Sequence, residues 1–236
     1  MPATTNKQKV LTHLFTALKK RYDPPEHEAR PVLEQLLYAV CRESGTREQA
    51  DQAFRHLRER FFDWNEVRVS SVREVEEAFE GMPEAEIRAQ RVIGLLQEVF
   101  ETTFSFDLET LQKKGLKQAA KQISRYQAAN DYAVAWVIQQ ALGGHAIPLD
   151  TASLRVLRRL GLIDDNSEDL EALRASIEHL VPKARGTQFS ELVSALAHDL
   201  CWEDDPNCSS CPLRADCVTG QTGGQTAERA SRPKSR

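Results

Sequence analysis

Apolar and polar positions along this chain alternate with the period of a helix almost everywhere and with the period of a strand almost nowhere. From Lys7 to Arg21, the residues Val10, Leu11, Leu14, Phe15 and Leu18 share one helical face, and Pro24-Pro25 ends the segment. Pro31 to Cys41 is apolar around most of its circumference (Val32, Leu33, Leu36, Leu37, Ala39, Val40), which predicts a buried helix. Thr46 to Phe62 is amphipathic with Thr46 as its N-cap, and Ser70/Ser71 opens a short helix through Phe79 that Gly81-Met82-Pro83 breaks. Glu84 to Phe100 turns Ile87, Val92, Leu95, Leu96 and Val99 inward and Arg88, Arg91 and Gln97 outward. Shorter helices over Asp107 to Lys114 and Leu116 to Tyr126 are parted by Gly115. Asp131 to Leu142 is apolar on all sides, as in a helix at the middle of a core, and Gly143-Gly144 stops it. An extended link from His145 to Leu149 leads to Asp150, which opens a helix from Thr151 to Leu160 closed by Gly161; Asp169 to Leu180 and Gln188 to Leu200 complete the set. The pattern predicts an all-α fold of about ten helices with no solenoid repeat.

Composition narrows the class. At 236 residues the chain is long enough for one large domain or two smaller lobes, and 41% hydrophobic with 28% charged residues is ordinary for a soluble globular protein. No apolar run approaches a membrane span and the start, Met1 to Lys9, is polar, so a cytoplasmic protein without membrane contact is expected. The segment from Val218 to Arg236 is rich in Gly, Thr and Gln and is expected to be disordered. It carries a charge of +3, so the net charge of −4 leaves −7 on residues 1–217. Long-range attraction to a polyanion is therefore weak, and any nucleic-acid contact needs a local basic face.

Four of the five cysteines, Cys201, Cys208, Cys211 and Cys217, lie within seventeen residues in the spacing C-x6-C-x2-C-x5-C. Cys41 stands apart in an apolar segment, an arrangement that suits a reducing compartment and a metal site better than disulfides. Structural zinc sites usually bring two close pairs from separate loops, whereas only Cys208 and Cys211 form such a pair here. One compact loop with Pro212 after its third cysteine suits a cubane [4Fe-4S] cluster better.

An all-helical chain, this cysteine spacing, and the block Leu149-Asp150-Thr151…Arg155-Val156…Arg159-Leu160-Gly161-Leu162 together resemble endonuclease III and the helix-hairpin-helix DNA glycosylases. The resemblance covers residues 7–217 and implies a two-lobed fold that receives a base flipped out of double-stranded DNA. It places an N-terminal helix (1–30) with the cluster lobe, a six-helix lobe with the hairpin over 31–144, the cluster lobe over 145–217, and a tail over 218–236. A monomer is expected. Asp150 takes the position of the catalytic aspartate, whose carboxylate stabilises the positive charge that builds on the sugar as the glycosidic bond breaks, and which can activate water. Asp150 is also a good N-cap, and the two roles are compatible.

The chain departs from the family at several points. Where bifunctional members carry the lysine that forms a Schiff base, this chain has Tyr132, and a phenol cannot form an iminium, so lyase activity is not expected. The glutamate that protonates the purine in adenine glycosylases has no convincing equivalent, since Glu43 lies about a turn too late. The hairpin pattern L-P-G-x-G-x-K/S becomes Tyr126-Gln127-Ala128-Ala129-Asn130-Asp131-Tyr132, so Ala128 and Asn130 replace the glycines that let backbone N–H groups reach a DNA phosphate. Alanine in a left-handed turn carries a cost of about 1 kcal/mol or more. Residues 202–207 hold Glu203, Asp204 and Asp205 where the family presents bases to DNA.

Ala128, Asn130, Lys121 and Arg155 are the DNA-binding positions implied. Lys113, Lys114, Lys117 and Arg125, with Arg158 and Arg159, are also read as solvated faces of amphipathic helices. Two functions follow: a monofunctional DNA N-glycosylase acting through Asp150, or a catalytically silent iron–sulfur paralogue that acts by binding.

Overall fold

The computed structural model describes residues 3–23, 28–164 and 166–222; of the expected tail, 223–236 lie outside the described residues. Among the described residues every regular element is helical. Two compact units form, one from the continuous segment His27–Asp150 and one from Met1–Glu26 with Thr151–Arg236. The link over residues 145–150, expected in the cluster lobe, falls within the continuous unit. Ala146, Ile147 and Leu149 are buried there, and the Gln139 side chain donates to the Ala146 carbonyl at 2.7 Å.

The continuous unit holds α2 (Val32–Arg42), α3 (Arg47–Arg60), α4 (Trp64–Val69), α5 (Val72–Glu76), α6 (Ala85–Thr103), α7 (Leu116–Ile123) and α8 (Asp131–Gln140). Helix α2 is its axis, buried almost throughout and packed against α3, α6 and α8. This is what a helix apolar on all sides requires. Its polar groups are matched inside the core: Gln35 accepts from Trp136 Nε1 at 2.9 Å, and Tyr38 donates to Asp51 at 2.6 Å. Cys41 is fully buried, and burial pushes its thiol up to about 12. It is therefore an inert packing residue.

Local signals set most boundaries. Thr46 and Ser71 each form a capping box, with Gln49 and Glu74 respectively, and Asp63 caps the short α4 that the periodicity did not mark. The segment expected as a helix over Asp107 to Lys114 is a 3-10 turn over Glu109–Lys113. The largest difference is on α6, where Arg88 is buried and Ile87 is half exposed, the reverse of the periodic assignment. The guanidinium of Arg88 closes the C-terminal end of α2, donating to the carbonyls of Val40, Cys41 (3.4 Å) and Glu43 (2.7 Å), and to Pro83 at 2.8 Å. Helix ends leave carbonyls without partners, and a buried end must find donors. Burial lowers the Arg88 pKa from its ordinary value.

The second unit comprises α1 (Ala3–Tyr22), α9 (Thr151–Arg159), α10 (Leu170–Leu180), α11 (Gly186–Asp199) and α12 (Val218–Gln221). Helix α11 packs against α1 and α9, with Phe15 and Phe189 rings 6.1 Å apart. Arg21 and Tyr22 both donate to Asp199, at 2.8 and 3.0 Å, which joins the first helix of the chain to the end of α11. Val218–Gln221, expected to be disordered, is helical. Cys217 Sγ accepts the Gly220 N–H at 3.4 Å, and Gly220 sits so close to Arg214 that a Cβ there would lie 3.0 Å from its carbonyl oxygen.

Replacing Arg88 with Met, which keeps the stem and removes the donors, should cost about 3 kcal/mol in urea unfolding because several buried carbonyls lose partners together. Arg88→Lys should recover only part of that loss, since one ammonium cannot span the same set of acceptors.

Candidate functional site

The loop after α2 carries the continuous unit's polar centre. Glu43 ends the helix in an extended conformation, and Ser44 turns left-handed at φ 52. That turn aims the Ser44 N–H at Asp150, whose Oδ2 accepts it at 2.8 Å; the aspartate is 6% exposed. A backbone donor of this kind fixes the orientation of the carboxylate. Glu43 is itself held from two sides, by Arg91 Nη1 at 2.6 Å and by Asn130 Nδ2 at 2.7 Å. A line of contacts thus runs from α6 and α8 through Glu43 and Ser44 to Asp150. Glu43, about a turn too late to match the glutamate of adenine glycosylases, draws its partners from far along the chain, where no local signal marks them: Arg91 is 48 residues away and Asn130 is 87.

The hairpin between α7 and α8 is built without left-handed residues. Neither Ala128 nor Asn130 has a positive φ, so the backbone cost expected for alanine is not incurred. Asn130 is extended (φ −86) and caps α8, its Oδ1 accepting the Ala133 N–H at 3.0 Å. One stripe of α6, at Arg91, Gly94 and Glu98, grips the turn. Arg91 Nε donates to the Ala128 carbonyl at 3.4 Å, and Gly94 leaves only 3.3 Å between an added Cβ and Ala128 Cβ. Glu98 accepts the N–H groups of Gln127 at 2.7 Å and Ala128 at 3.2 Å. Lys121 is exposed on α7.

Tyr132 is 5% exposed and stacked on Trp136, with ring centroids 6.0 Å apart and planes 24° from parallel. It packs in the core cluster around α2 and α8.

In the second unit, Cys201, Cys208, Cys211 and Cys217 line one small cavity together with Arg159, Leu200, Pro206 and Gly220. All four thiols are free of disulfides. No group of three or more His, Cys, Asp or Glu residues among the described residues is arranged to hold a metal ion. Burial raises the thiol pKa of Cys208, Cys211 and Cys217. Arg159 Nη1 approaches Cys201 Sγ at 3.5 Å and donates to the Trp202 carbonyl at 2.5 Å, while its other Nη donates to Glu203 at 2.8 Å. Arg155 donates to the carbonyls of Cys201 (2.9 Å) and Ala197 (3.2 Å), which accounts for a cation there without a phosphate. The loop's acidic residues Glu203, Asp204 and Asp205 are exposed.

Solved structures share this architecture. A trapped endonuclease III–DNA covalent intermediate matches with a TM-score of 0.69 at 17% identity, over 92% of this chain and 99% of the other. A non-covalent endonuclease III–DNA complex matches at 0.70 and 17%, over 92% and 97%. A thermostable thymine-DNA glycosylase matches at 0.66 and 17%, over 93% and 99%. No family model matches the chain. A curated relative, the DNA glycosylase/AP lyase ROS1 of Arabidopsis thaliana, is 24% identical over 172 residues, which span 66% of this chain and 12% of that protein. The fold is that of endonuclease III and the helix-hairpin-helix DNA glycosylases.

Glu43→Gln and Arg91→Met, combined in a double-mutant cycle, should show a coupling of about 1 kcal/mol, because both side chains are partly shielded from solvent and share one ion pair.

Proposed function

We propose that this chain is a base-excision DNA glycosylase of the endonuclease III type, monofunctional, with Asp150 as its catalytic carboxylate and double-stranded DNA as its partner. The observation that carries the reading is the fixed, nearly buried Asp150 carboxylate on the Ser44 N–H, within a fold shared with DNA glycosylases. Cleavage of an N-glycosidic bond builds positive charge at the sugar, and a preorganised carboxylate stabilises it without reorganising. The same group orients a water for attack on the anomeric carbon. The packing of Tyr132 against Trp136 supports the loss of lyase chemistry, since the position holds no amine and its ring serves the core.

The four cysteines are proposed to hold a [4Fe-4S] cluster. The support is chemical: four thiols share one cavity, and the Gly220 N–H on Cys217 with Arg159 beside Cys201 would supply the hydrogen bonding that thiolate ligands attract, although as they stand the four side chains are not drawn together as a metal-holding group. When bound, the cluster would cross-link the loop from Cys201 to Cys217 and hold it against α9; no step of base excision is assigned to it. The acidic loop and the Glu98 contact at the hairpin favour a second reading, a catalytically silent protein that kept the scaffold for binding.

A panel of duplex oligonucleotides carrying damaged and mismatched bases tests the first reading. Base release is expected for one class of lesion, falling by about 10²-fold or more in Asp150→Asn. Borohydride should trap no covalent adduct. Release from no substrate would leave the silent reading, and release indifferent to Asp150→Asn would refute Asp150 as the catalytic carboxylate. For the cluster, purified protein should contain about four iron and four sulfide per chain, lost in Cys211→Ser; bound zinc instead would refute it.

A further inference from the structure

The turn between α7 and α8 presents consecutive backbone N–H groups, from Gln127 and Ala128, to a single anion. Each donates to a different oxygen of the Glu98 carboxylate, at 2.7 and 3.2 Å, so the pair chelates one group as a backbone nest chelates a phosphate. Gln127 is exposed and Ala128 only half buried, so the turn lies within reach of an external ligand. Glu98 is delivered to it by geometry. It lies one helical turn beyond Gly94, where the absent side chain lets α6 approach the Ala128 methyl, and Arg91 fastens the Ala128 carbonyl from the same stripe.

We propose that Glu98 is a built-in occupant of the hairpin's anion site, so that the turn does not take a nucleic-acid phosphate while the Glu98 side chain is in place. This rests on the reading of the chain as a DNA-binding glycosylase. A phosphate that approached these two N–H groups would have to displace a carboxylate already bound bidentately, and would meet its negative charge if the displacement were incomplete. Asp131, exposed at the start of α8, adds to that repulsion. Duplex binding in the wild type therefore proceeds with one backbone contact fewer than the turn is able to make. The device acts on affinity: Glu98 holds the turn, whereas the Asp150 carboxylate is held by the Ser44 N–H.

The experiment compares the full-length wild type with Glu98→Gln, Glu98→Ala and the control Glu101→Gln, which removes the same charge from an exposed position on α6. Hydrogen exchange at the Gln127 and Ala128 amides reads the contact without DNA, and Glu98→Ala should accelerate it while Glu101→Gln does not. Binding to a duplex across a salt series should be roughly tenfold tighter for both Glu98 variants, with the log–log salt slope steeper by about 0.9, the signature of one additional phosphate. Tightening without a change of slope, or equal tightening in Glu101→Gln, would overturn the proposal in favour of a general charge effect. Unchanged binding in the Glu98 variants of a protein that still releases bases would overturn it alone. No duplex binding by any of the four proteins would overturn the DNA reading itself, and with it the phosphate assigned to this site.

Discussion

The Arg88 guanidinium at the end of α2 is the constraint on which the polar centre depends. Helix α2 ends inside the core, where its last carbonyls have no water to turn to, and one planar cation with several donors answers most of them at once. Burying that charge is costly, and its pKa is lowered by the same burial. What the arrangement secures is the path of the chain beyond the helix. With the Glu43 carbonyl fixed, the left-handed Ser44 follows in a defined direction, and its N–H meets Asp150.

Helix α6 carries two jobs on adjoining faces. Arg88 serves the end of α2, while Arg91, Gly94 and Glu98 serve the hairpin, and Arg91 joins the two by its ion pair with Glu43. A helix that reads as an ordinary amphipathic segment therefore sets both the loop before the candidate catalytic carboxylate and the turn proposed as an anion site. The hairpin's residues make sense together in this setting. Ala128 and Asn130 are free of left-handed geometry, Asn130 caps α8, and the exposed turn amides are satisfied internally.

In the second unit, too, cations serve the scaffold. Arg155 and Arg159 hold backbone carbonyls at and just before the cysteine loop, and the loop itself shows acids to solvent. The guanidinium fork suits such work, because its planar set of donors matches successive carbonyls that a single ammonium cannot reach.

By itself the sequence determined the helical class, the buried character of α2 and α8, the caps at Thr46 and Ser71, and the gathering of four cysteines in one loop. These follow from signals that act over a few residues: apolar spacing, capping side chains, and cysteine spacing within one loop. The tertiary structure alone decided which polar residues face inward and whom they meet. Periodicity turned Arg88 outward and Ile87 inward because it weighs hydrophobicity, while the burial of Arg88 is set by orphaned carbonyls some 45 to 48 residues away. The partners of Glu43 and Glu98 are likewise distant in the chain, and so was the short helix after Cys217 hidden, since it rests on Arg214 and a sulfur cap rather than on its own propensity. Hydrogen-bond demand inside a core is non-local and leaves no periodic trace in a sequence, which is why the scaffold was legible from the chain and the wiring of its polar centre was not.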